Sequence, residues 1–88
     1  SPEERRRAFE AEKAAARAAD RKKKRVKELE GLIAEGEAKL GALREELKNH
    51  PGGDWAKVAK LATNEQALAK DVDRLMSEWM DLSSEGAS

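Results

Sequence analysis

Apolar residues return along this chain at alternating steps of three and four. The first run is Val26, Leu29, Ile33, Leu40, Leu43 and Leu47, with Gly36 filling the one seam position that lacks a side chain. After His50-Pro51-Gly52-Gly53-Asp54 the rhythm resumes through Val58, Leu61, Leu68, Val72, Leu75, Trp79 and Leu82, with Glu65 on the same stripe. Such spacing places one narrow apolar seam along each of two helices. A break this short cannot carry the chain back to its starting end, so the helices must lie antiparallel. The expected fold is all-α: an antiparallel two-helix coiled-coil hairpin over residues 22–83, with its turn at 49–54 and a long N-terminal helical extension.

The boundaries carry their own signals. Ser1-Pro2-Glu3-Glu4 has the form of a capping box with Pro at the first helical position. Pro51 disfavours helix at His50, Gly52-Gly53 admit positive φ, and Asp54 suits the N-cap of a helix beginning at Trp55. The first helix is predicted from about Pro2 to Asn49, roughly 70 Å, and the second from about Trp55 to Leu82, roughly 40 Å. Residues 84–88 read as a flexible tail. Projected back through residues 1–21, the seam falls on Ala and charged positions, so this arm is either a solvated helix or frays.

Two registers satisfy the pattern. Gly36 can face Glu65 or Val72, and Arg25 can meet Glu78 or Glu85; surface ion pairs worth at most about 1 kcal/mol do not choose between them. Gly31 and Gly41 project outward. Leu32 and Met76 flank the seam, Ala62 and Ala69 widen it, and both tryptophans are expected to pack, Trp79 in the seam and Trp55 beside the turn.

Composition narrows the function. With 41% charged and 3% aromatic residues in 88, only the seam can be buried, and no run approaches the length of a membrane span. The chain is expected to be soluble and cytoplasmic. It has no Cys or Tyr, one His, and neither a Walker-type nor a dinucleotide-type Gly-rich loop. The spacing therefore offers no catalytic residue, metal site or cofactor site, and His50 reads as a helix-end residue.

The zero net charge conceals a division. Residues 1–25 hold ten Lys/Arg against five Asp/Glu, and residues 26–88 hold eight against thirteen. A basic arm thus adjoins an acidic hairpin. Arg17, Arg21, Lys22, Lys23, Lys24, Arg25 and Lys27 form the densest group, suited to releasing counterions from a nucleic-acid backbone without reading its sequence. The competing readings are a solvated linker, and a hairpin that docks on protein or weakly on itself through its apolar flank. Membrane-surface binding is disfavoured because Phe9 is the one large apolar side chain on the arm.

Val26-Lys27-Glu28-Leu29-Glu30, the later leucines, the Pro-containing turn and the closing Trp79-Met80-Asp81-Leu82 carry a family likeness. Over residues 22–82 the chain resembles the C-terminal coiled-coil domain of ABC-F (Uup-type) ATPases. The Leu-Ser-Tyr-Lys-Glu-Gln-like segment that often precedes that coil is replaced here by the Ala/Arg/Lys arm. The resemblance implies a piece of a protein with two ATP-binding cassettes upstream, where ATP and Mg would bind, acting on the ribosome. It also implies that the fragment hydrolyses nothing and contacts DNA, branched DNA included, or ribosomal RNA.

Overall fold

The computed structural model describes residues 1–85 of the 88. The chain forms two helices, α1 (Pro2–Asn49) and α2 (Trp55–Glu85), packed antiparallel in a rod of 79 × 20 × 18 Å. Neither helix is long and apolar enough to cross a membrane. Ser1 caps α1 as the sequence suggests: its Oγ accepts from the Glu4 N–H at 3.3 Å, and the Glu4 carboxylate lies 3.5 Å from the chain's amino group. The turn closes as its residues dictate. Gly52 and Gly53 take φ of 84° and 95°, the Gly52 N–H donates to Nδ1 of His50 at 3.1 Å, and Oδ1 of Asp54 accepts from the Lys57 N–H at 3.1 Å. Helix α2 runs to Glu85, past the expected end at Leu82; the remainder of the expected tail, 86–88, lies outside the described residues.

The seam is a single row. Leu29 is completely buried, Leu40 and Val72 nearly so, and Val26, Ile33, Leu43, Leu47, Val58, Leu61, Leu68, Leu75, Trp79 and Leu82 are half-buried. Half-burial is what two helices alone can achieve, because each seam residue is covered from one side only. Burial at Gly36 settles the register. A Cβ placed there would stand 2.8 Å from Cγ2 of Val72, so the absent side chain lets α2 approach at that level. Glu65 is half-buried elsewhere on the seam. At Gly31 and Gly41 a Cβ would meet nothing within 4 Å, in keeping with their outward projection.

Two expectations are corrected. Trp55 does not pack beside the turn: at the first position of α2 it is 85% exposed. Leu32 and Met76 do not form one flank, since Met76 is half-buried in a groove with Trp79 whereas Leu32 stays exposed outside that groove. The Trp79 ring packs as expected, although its Nε1–H is buried without a hydrogen-bond acceptor among the described residues.

Candidate nucleic-acid interface

The basic group lies where the unpaired arm becomes the hairpin. Residues 1–21 are exposed throughout, and α1 first meets α2 at Lys22 and Arg25. Those two cations point across the hairpin. Nζ of Lys22 sits 3.1 Å from the Glu85 carboxylate. Arg25 donates from Nε and Nη2 to the two carboxylate oxygens of Glu78 at 2.6 and 2.8 Å, and from Nη1 to Glu28 at 2.6 Å. This two-point geometry matches the planar guanidinium to the planar carboxylate. The hydrogen bond to Glu78 holds the Arg25 pKa above its already high ordinary value, and the same bond holds Glu78 below the usual carboxylate range. Lys22 and Arg25 thus clasp the open end of the hairpin.

The other five members behave differently. Arg17, Arg21, Lys23, Lys24 and Lys27 are exposed and form no ion pair among the described residues. Lys23, Lys24 and Lys27 edge an open recess of about 660 Å³ at the helix junction, together with Val26 and Ser83. Asp20 and Glu30 stand at its ends and temper its charge. The sequence pattern placed all seven cations in one class. What it missed is that carboxylates 53 and 63 residues further along the chain, on the other helix, claim two of them, which requires the register.

A second feature escaped the pattern. Ile33, Ala34, Met76, Trp79 and Met80 bound a shallow apolar groove of about 360 Å³ between the helices, rimmed by Glu30 and Glu37. Met80 is 62% exposed along it. Ala34 and Met80 each follow a seam residue by one position, and that adjacency was the available signal.

The arrangement resembles a rod with a charged shoulder. Among the described residues no group of three or more His, Cys, Asp or Glu is disposed to hold a metal ion. The comparison with curated proteins found no match, and neither did the comparison with solved structures. The family described as the ABC transporter C-terminal domain matches residues 17–84, which takes in the basic shoulder, both seams and the turn. This hairpin therefore belongs to the ABC transporter C-terminal domain family.

Proposed function

We propose that this domain is the nucleic-acid-contacting hairpin of an ABC-F ATPase of the Uup type, holding the sugar-phosphate backbone of DNA or ribosomal RNA. ATP and Mg belong, in this reading, to cassettes elsewhere in the parent protein. The observation that carries it is the set of five exposed cations, Arg17, Arg21, Lys23, Lys24 and Lys27, none engaged by a carboxylate among the described residues. Unpaired cations lose no intrachain partner when they meet a phosphate, whereas Lys22 and Arg25 would have to abandon Glu85 and Glu78. Backbone contact of this kind fixes position on a duplex or junction and is indifferent to sequence.

The test is fluorescence anisotropy with labelled duplex DNA, branched DNA and hairpin RNA over a salt series. Five phosphate contacts predict a log–log salt slope of about −4.5 on duplex DNA. Replacing Arg17, Arg21 and Lys24 by Gln removes about 2.7 from that slope. The ranking of the three probes assigns the target. Absence of binding to any of them at low salt, or a slope indifferent to the triple substitution, overturns the proposal.

A further inference from the structure

Helix α1 carries a second stripe, one position (about 100°) round the helix from the hairpin seam and bordering the groove between the helices. Starting at Arg6, steps of three and four lead through Phe9, Lys13, Ala16 and Asp20, then through Lys23, Lys27, Glu30, Ala34 and Glu37. Every position on it is exposed, and none of its charged groups has an ion-pair partner among the described residues. Reversing the order of the stripe pairs it with its own complement. Arg6 meets Glu37, Lys13 meets Glu30, Asp20 meets Lys23, and Phe9 meets Ala34; the remaining pair is Ala16 with Lys27. No like charges are opposed.

From this we infer that two copies of the chain associate as an antiparallel, two-fold dimer, with Phe9 of each seated in the Ile33, Met76, Trp79 and Met80 groove of the other. Phe9 and Ala34 are 25 residues apart, close to seven helical turns, so the arm's aromatic and the groove lie on one side of α1. Arg6 and Lys13 bracket Phe9 at the same spacing of about 10.5 Å that separates Glu30 from Glu37 on the groove's rim. Phe9 is 57% exposed with Lys13 Nζ 5.3 Å over its ring, and Met80 is 62% exposed along the groove. Burying each against the other removes the largest exposed apolar groups of the arm and of the open end together. The equal spacing also fits a parallel, offset contact, but that arrangement leaves an arm unfilled at one end and a groove at the other and propagates into a filament. The antiparallel contact fills both arms and both grooves and closes.

The dimer shares Lys23 and Lys27 with the phosphate-binding set and passes close to Arg21, whereas Arg17 and Lys24 lie off the stripe, so Arg17→Gln with Lys24→Gln tests phosphate contact without removing any pair of the dimer. Arg21 of the two copies approach the two-fold axis, where Asp20 and Lys23 cross-pair and offset their repulsion.

Sedimentation equilibrium at about 0.15 M salt, where charges more than about 8 Å apart are screened, tests the inference on the chain as it stands. The expected mass is twice the 9.7 kDa of the monomer. Phe9→Ala, on a wholly exposed arm, weakens association by about tenfold or more. Arg6→Glu with Lys13→Glu abolishes association, and adding Glu30→Lys with Glu37→Lys in the same chain restores it. Orientation is read from spin labels on introduced cysteines. Ala19→Cys gives an inter-copy distance under about 20 Å and Gly41→Cys one near 60 Å, whereas the parallel offset gives about 37 Å for both. A monomer, a species larger than the dimer, association unchanged by Phe9→Ala, or equal distances from the two labels overturns the inference.

Discussion

Gly36 faces Val72 so closely that a methyl group on Gly36 would lie 2.8 Å from Cγ2 of Val72. This close approach fixes which residues of α1 oppose which of α2. Gly36→Ala forces Val72 or the α2 backbone to move, and overpacking of this kind costs about 1–3 kcal/mol. Gly41→Ala is the matched control, since its added methyl meets nothing within 4 Å. It gains about 0.5–1 kcal/mol from helix propensity alone. Urea unfolding followed by circular dichroism should move the two midpoints in opposite directions.

The Arg25–Glu78 pair predicts an acid dependence of stability. Glu78 is held below the usual carboxylate range in the fold, chiefly by its hydrogen bond from Arg25, so the unfolded chain binds its proton more readily. Its contribution is complete above the ordinary Glu range and is lost as pH falls through that range to the lowered folded value. The raised Arg25 value affects only strongly alkaline pH. Unfolding midpoints measured from pH 7 down to pH 3 should fall less for Glu78→Gln than for the unaltered chain.

Leu29 and Trp55 mark the extremes of burial among the large apolar residues, fully covered and 85% exposed. Leu29→Ala should cost about 2–5 kcal/mol, because a hairpin with one seam has little with which to refill the void. Trp55→Ala should stay within about 0.5 kcal/mol despite deleting the larger side chain. Chemical denaturation of both variants checks this. Acrylamide quenching should assign the accessible fluorescence to Trp55 and the protected part to Trp79.

The arm and the hairpin should open at different free energies. Residues 1–21 are exposed throughout, so their amides are held chiefly by helix propensity, local ion pairs such as Arg7 with Glu3, and the Ser1 cap. Hydrogen exchange should find them weakly protected in the monomer and the amides from Leu29 to Leu47 strongly protected. Ser1→Ala, removing a cap worth about 1 kcal/mol, should increase exchange in the first turns and leave the hairpin's unfolding midpoint unaltered.

Much of this molecule was legible in its sequence. The thirteen seam residues, the capping box, the Pro51-Gly52-Gly53 turn and the Asp54 cap are local or periodic features, and a helix that must bury one face announces that face every three or four residues. The family likeness rested on the same residues. Trp55 was misplaced because the general preference for burying an indole says nothing of whether a partner stands opposite, and at the start of α2 it is left 85% exposed. The second stripe of α1 lacks an apolar signal strong enough to draw notice, since it is written in charges around one aromatic.

The sequence by itself determined that there are two helices, where each begins and where they turn, and that a basic arm adjoins an acidic hairpin. Backbone propensity, capping and hydrophobic spacing act along the chain, so they can be read along it. The tertiary structure alone decided that Gly36 opposes Val72, that Lys22 and Arg25 are committed to Glu85 and Glu78, and that no carboxylate among the described residues claims the other five cations of that group. It also formed the groove between Ile33 and Trp79. Each of these depends on register, and heptad spacing repeats itself every seven residues, so two registers satisfy the same pattern until side-chain volume at one level excludes the other.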